Sequence, residues 1–266
     1  MRSLSSRHHP LVAACRALAR GTSAGEDRLL LDGLHLVADA VAAGLPLETV
    51  AVTPRARSTA ETARLLDRLP ASTTELVEVS ESMMEAMSPV ASPSGIVAIA
   101  ARPVASLAGV VAGASALVVA ALDVQEPGNV GAIVRAAEAG GATGAVFCGA
   151  SADPFGWKAL RGSMGSALRL PVVGGAAASE TIAAARQAGL RIVATGPRGG
   201  SAPETIDLRR PALLLLGSEG AGLPEEATRE ADARVSIPMR PPVESLNVAV
   251  TAALLVYEAA RQRRAT

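Results

Sequence analysis

Three loops hold the residues of this 266-residue chain best suited to chemistry. The first runs from Asp123 to Arg135 and reads Asp-Val-Gln-Glu-Pro-Gly-Asn-Val-Gly-Ala-Ile-Val-Arg, joining an expected strand to an expected helix. Asn129 is suited to cap that helix, and Arg135 lies about two turns in, on the face shared with Gly131. Its neighbours are apolar or small, so a guanidinium stands out there on a helix packed against a sheet. In the second loop, Gly217-Ser-Glu-Gly-Ala-Gly222, glycines permit close backbone approach to a ligand and Glu219 adds one carboxylate. In the third, residues 238–247, Ser245 is placed to cap the terminal helix and Asn247 to sit in its first turn. Exposed backbone N–H groups can face an anion or a polar ligand at such a place. Taken singly, each has a bland reading: a capped helix with a solvated arginine for the first, a plain turn as the default for the second, and a structural cap for the third.

The elements that must position these loops alternate regularly. Strands are expected at 117–122, 145–148, 169–173, 191–194, 212–216 and 234–237. Helices fall at 130–139, near Lys158, at 180–188, after Pro224 and at 246–264, which implies a parallel sheet covered on both faces. The glycine loop and the proline-rich loop then leave the carboxyl ends of strands, the edge where open α/β sheets bind ligands. Residues 1–103 read as a separate, smaller α/β unit. Its helices are expected at 11–20, up to Ala43, at 60–69 and at 83–87, and its strands at 48–53, 75–79 and 95–101. Residues 104–114, rich in small side chains, read as a linker before a second domain at 115–266.

Composition bounds the rest. The chain is 49% hydrophobic but only 2% aromatic, so its core must come from Ala, Val and Leu. No apolar run is long enough for a membrane span, which predicts a soluble protein, and the absence of an apolar h-region argues against secretion, so a cytoplasmic place is expected. Cys15 and Cys148 belong to no metal-ligand spacing and read as buried reduced thiols; no metal is expected. Net charge is zero and gives no global signal for nucleic acid, although the cations are nearly all arginine, with Lys158 the one lysine. The first 25 residues hold arginines and serines but no acid, as transit peptides do. Leu11, Cys15 and Leu18 nevertheless share one helical face, which favours an ordinary first helix.

Together and in this order, the loops resemble the SpoU (TrmH-like) family of RNA 2'-O-ribose methyltransferases, within the SPOUT superfamily. Asn129-Val-Gly-Ala-Ile-Val-Arg135 is similar to the first family motif, and Leu216-Gly-Ser-Glu-Gly-Ala-Gly-Leu223 to the second. Ile237-Pro-Met239 with Ser245-Leu-Asn-Val248 resembles the third. Arg161-Gly-Ser-Met-Gly165 resembles a further segment of the form Arg-Ala-Ser-x-Gly. Asp32-Gly-Leu-His-Leu36 and Ser92-Pro-Ser-Gly-Ile96 look like segments of the L30e-like substrate-binding domain that often precedes the methyltransferase domain. Asp32 in place of glutamate, and the zero net charge, depart from the family pattern.

The resemblance implies an α/β carboxy-terminal domain with a parallel sheet and a deep trefoil knot, an exception to the rule that chains are unknotted. It implies S-adenosyl-L-methionine held by Thr195, Gly196, Leu216, Gly217, Ser218, Gly220, Gly222, Ile237, Met239, Ser245, Leu246 and Asn247. The methyl group would go to a ribose 2'-hydroxyl of rRNA or tRNA. Arg135 matches the arginine that the family treats as catalytic. Because arginine stays charged, its first role would be to stabilise the developing alkoxide and grip the adjacent phosphate. Asn129, Ser245 and Asn247 match positioning residues, and Glu219 would order the loops and Arg135, with a general-base role as the alternative. A homodimer built through the first and last helices of the fold is also implied. Two other readings stay open: an RNA- or ribosome-binding protein without catalysis, and an NAD-dependent oxidoreductase. The latter lacks a Gly-x-Gly-x-x-Gly turn at 123–131.

Overall fold

The computed structural model describes residues 2–21, 27–70 and 73–264, and the chain divides into two compact units. The first comprises Met1–Pro103 with Phe155–Arg169, and the second Val104–Pro154 with Leu170–Thr266. In chain order the elements are β1 (Arg2–Leu4), α1 (Pro10–Arg20), β2 (Arg28–Asp32), α2 (Leu34–Ala42), β3 (Leu47–Val52), α3 (Pro54–Arg57), α4 (Ala60–Leu66), β4 (Glu75–Val79), α5 (Glu81–Met87) and β5 (Ile96–Ala101). Then follow α6 (Leu107–Val111), β6 (Leu117–Leu122), α7 (Pro127–Ala139), β7 (Gly144–Cys148), α8 (Trp157–Ser163), β8 (Val172–Ala176), α9 (Ala178–Gln187), β9 (Arg191–Thr195), β10 (Ala212–Leu216), α10 (Glu225–Arg229), β11 (Ala233–Val235) and α11 (Val248–Arg264).

The first unit is a mixed five-stranded sheet of order β1-β4-β3-β5-β2. β4 runs parallel to β1 and β3, while β5 is antiparallel to β3 and β2. Thr53, Thr59 and Ser80 each accept a hydrogen bond from a first-turn N–H, which sets where α3, α4 and α5 begin. Val12 and Cys15 of α1 are buried with Met83, Met84 and Met87 of α5, so the expected first helix is present and packs into the core. Met1 and residues 22–25 of the acid-free stretch lie outside the described residues. The methionines add to the expected Ala, Val and Leu core, as flexible unbranched side chains that pack readily. Strands β1 and β2 are additions to the expected elements. β1 is three polar-flanked residues, and β2 reads in sequence as the apolar run leading into α2.

The second unit is a six-stranded, all-parallel sheet of order β11-β9-β10-β6-β7-β8. Its inner strands are buried on both faces, hence the unbroken apolar runs of β6 and β10. One face, with Val118, Ala120, Val146, Ile192 and Leu213, is covered by side chains of α6, α9 and α10. α7 packs on α11, and these two helices meet β7 and β10. Residues 104–114 are not a plain linker, since they form α6 with Val110 and Val111 buried; the period fails in sequence because the helix is only five residues long. The foot of α11 is tied down by Arg263, which donates to the carbonyls of Leu208, Arg210, Ser115 and Ala116 at 2.6–3.1 Å. Because every strand of the sheet is parallel, the loops after β6, β9, β10 and β11 all emerge at one edge. Among the described residues no helix is long and apolar enough to cross a membrane.

Candidate active site

At this edge the loops after β9, β10 and β11 enclose a cavity of about 640 Å³, within the range of small-molecule sites. Thr195, Gly196, Leu216, Gly217, Ser218, Gly220, Gly222, Ile237, Met239, Ser245 and Leu246 all line it, as does Glu219. Asn247 does not. Leu255 from α11 adds to the apolar wall.

The glycine loop is closed on itself by Ser218 N–H donating to Gly222 O (3.2 Å) and Gly222 N–H donating to Ser218 O (3.1 Å). Gly217 must be glycine for this closure, because a Cβ there would sit 2.1 Å from the Gly222 carbonyl carbon. Gly222 itself has φ +70°, in the left-handed region that glycine adopts without strain. The loop after β9 is fastened to β11 by Gly196 N–H to Val235 O (3.0 Å) and Ser201 N–H to Arg234 O (2.9 Å). Two walls of the cavity are therefore backbone held in place by backbone.

The third wall meets the second through side chains. Glu219 Oε1 accepts from Asn129 Nδ2 at 2.7 Å and from Asn247 Nδ2 at 2.9 Å, and Asn247 Nδ2 also donates to Asn129 Oδ1 at 3.0 Å. Asn247 Oδ1 meanwhile accepts from the N–H groups of Ala249 and Val250 (2.9 and 3.3 Å). Asn247 is thus the N-cap of α11, which begins at Val248. The expected cap, Ser245, lies two residues earlier and faces the cavity. Asn129 likewise does not cap α7. Glu126 does, accepting from Gly128 N–H, and Pro127 takes the first helical position, where its missing N–H costs nothing. Asn129 is instead in the first turn, with its side chain free to reach Glu219.

Arg135 is exposed on α7, opposite the buried Val130, Ile133, Val134 and Ala137. It makes no hydrogen bond or ion pair among the described residues. Its apolar neighbours turn inward while it turns outward, which removes the expected conflict with packing; Gly131, one turn earlier, is buried because it has no side chain. Sequence reasoning passed over Arg198, Thr228, Arg234 and Glu244, which also line the cavity. Arg198 carried a signal: it stands between Gly196 and Gly199 in a loop that leaves a strand, as Glu219 does. Arg234 is outward-facing in a three-residue strand, too short to show alternation.

The residues present fit S-adenosylmethionine. Leu216, Ile237, Met239, Leu246 and Leu255 offer apolar surface for a purine. The glycine backbone offers N–H and C=O groups, with open space at the Cα of Gly220 and Gly222, and Arg198 and Arg234 can meet a carboxylate.

The chain matches the model of the SpoU rRNA Methylase family over residues 116–257 and that of the MRM3-like substrate binding domain over residues 23–98. It is 33% identical over 262 residues to a Synechocystis sp. protein described as an uncharacterized tRNA/rRNA methyltransferase, covering 98% of this chain and 94% of that one. A 23S rRNA (uridine(2479)-2'-O)-methyltransferase of Streptomyces viridochromogenes is 34% identical over 247 residues, 91% of this chain and 85% of its own. The crystal structure of an AdoMet-bound rRNA methyltransferase from Sinorhizobium meliloti superposes with a TM-score of 0.87 at 30% identity, over 98% of this chain and 97% of that one.

Proposed function

Because the chain belongs to the SpoU rRNA methylase family, we propose that it transfers a methyl group from S-adenosylmethionine to a ribose 2'-hydroxyl of a structured RNA, rRNA or tRNA. One observation carries this reading: Glu219 lines the cavity while binding Asn129 and Asn247, residues 90 and 28 positions away in sequence. That junction ties a cofactor-sized cavity to the helix bearing Arg135.

Bound in the cavity, the cofactor supplies an electrophilic methyl group on a good leaving group. The protein's task is then alignment, together with care of one poorly acidic proton. The glycine loop, Thr195, Gly196, Ile237, Met239, Ser245 and Leu246 hold the donor. Glu219 spends its carboxylate on two amides and so fixes the loops, which suits an orienting group better than a base. Arg135, with its guanidinium unspent, grips the phosphate next to the target ribose and stabilises charge developing on the 2'-oxygen. Arg135→Ala is expected to lower single-turnover transfer about 10²–10³-fold, the usual loss for one pre-organised donor. Cofactor affinity in a calorimetric titration should stay unchanged, and its loss would move Arg135 into the donor site.

The first unit selects the RNA, as its match to a substrate-binding model supports. Val250, Leu254 and Tyr257 project from one exposed stripe of α11, 46–51% accessible, and this stripe is where a second copy packs to form a homodimer. The cytoplasm, which holds both classes of RNA, is the place of action. Methyl transfer from tritiated cofactor into total RNA, followed by mapping of 2'-O-methyl groups, tests the activity and names the target.

A further inference from the structure

The segment Phe155–Arg169 belongs to the first unit, where α8 packs on β2. Ala159, Leu160 and Ser163 form its buried side. The turn that ends it is fixed by two left-handed residues, Met164 (φ 49°) and Gly165 (φ 78°), and a side chain at Gly165 would collide with the Asp39 carboxylate. The outer side is unlike the rest of the chain. It carries the one tryptophan and the one lysine of the sequence, the half-buried Trp157 and the exposed Lys158, with Lys158 Nζ 5.7 Å from the ring centroid. Arg161 and Met164 are exposed one and two turns further on. Residues 155–169 contain three cations and no acid, in a chain whose cations and acids balance at 25 each. Of the nearby acids, Asp39 pairs with Arg169 at 3.2 Å, and Asp32, which accepts from Ser88, also feels the charge of Arg161, while Lys158 forms no ion pair among the described residues.

We propose that this face of α8 binds an unpaired stretch of the substrate RNA, with one base stacked on Trp157 and an adjacent phosphate held by Lys158. The proposal rests on the RNA methyltransferase reading. An indole offers a π face that any unstacked base can use, and a cation beside it meets the backbone that accompanies that base. In the free protein Lys158 itself occupies the electron-rich ring face. A phosphate is the stronger, charge-assisted partner, so its arrival draws the ammonium away and leaves the face to the base.

A single tryptophan makes the test direct. The full-length protein is titrated with a fluorescein-labelled oligouridylate, and with the same strand annealed to its complement, while anisotropy and Trp157 emission are followed. Saturable quenching by the single strand is expected, weaker with the duplex. Trp157→Ala should weaken anisotropy-detected binding by about fivefold or more, with Trp157→Phe keeping most of the affinity. Lys158→Ala should reduce the slope of log Kd against log salt by about 0.7, the value for one phosphate contact on a single strand. If the strand binds by anisotropy but Trp157 emission, affinity and slope are unmoved, the proposal is overturned and the methyltransferase reading stands. Equal quenching by the duplex overturns the unpaired base. Failure of oligouridylate and of an rRNA transcript to bind, together with no methyl transfer to the transcript, overturns both.

Discussion

Asn247 serves two masters, and two substitutions separate them. In Asn247→Ala, α11 loses its cap, at a cost of about 1 kcal/mol. The amide also stops donating to Glu219 and Asn129 at 2.9 and 3.0 Å. These bonds are solvent-exposed, so they add about 0.5 kcal/mol each, the low end for such contacts. The sum, about 2 kcal/mol, corresponds to a drop of about 4–8 °C in Tm for a unit of this size. Asn247→Asp keeps the capping oxygen, and its charge at a helix N-terminus is favourable. It also sets a carboxylate against Glu219, and like charges at this separation in solvent cost about 1 kcal/mol, relieved by salt. Asn247→Asp is therefore expected to melt within about 3 °C of the native chain and to recover further in salt. Single-turnover methyl transfer should nevertheless fall at least as far as in Asn247→Ala, because Glu219 and Asn129 are pushed apart. Thermal unfolding and single-turnover assays on both variants decide the matter. Equal stability loss in the two would show that the cap is not what Asn247 contributes, and native transfer in Asn247→Asp would show that the Glu219 junction positions nothing.

Three further outcomes follow from particular atoms. Gly217→Ala drives a methyl into the Gly222 backbone and is expected to cost about 1–3 kcal/mol and most of the cofactor affinity, whereas Gly220→Ala, with nothing within 4 Å, should leave Tm unchanged; calorimetry and melting compare them. Burial, reinforced by the charge of Asp32, pushes the Cys15 thiol from 9.0 to about 12. The folded state therefore holds a proton that the unfolded chain releases, so stability on the order of a few kcal/mol is complete below about pH 9 and lost as pH rises toward about 12. Denaturant titrations across that window should show the decline, and Cys15→Ala should make it shallower, leaving the part owed to Cys148, whose thiol burial also raises. Leu254→Glu, in the exposed stripe of α11, is expected to give a monomer in sedimentation velocity with an unchanged far-ultraviolet spectrum; an unaltered dimer would place the interface elsewhere.

The sequence by itself determined what is local. β4, β6 and β10 lie where alternation and apolar runs put them, and the cavity-lining glycines were readable because only glycine tolerates such close backbone approach. The family motifs also pointed to Asn129, Arg135, Glu219, Ser245 and Asn247. Tertiary structure decided where each of these side chains lies and what it touches. A helix N-terminus has several acceptable caps nearby in sequence, and only packing chose Glu126 over Asn129 and Asn247 over Ser245, which freed Asn129 for Glu219. Packing likewise assigned residues 155–169 to the first unit and made a helix of 107–111. Both depend on neighbours distant in the chain, and a short amphipathic segment carries too few turns to reveal such neighbours alone. Arg135 was visible as an arginine among apolar residues; that it faces solvent with its charge unspent follows from which side of α7 the sheet and α11 bury.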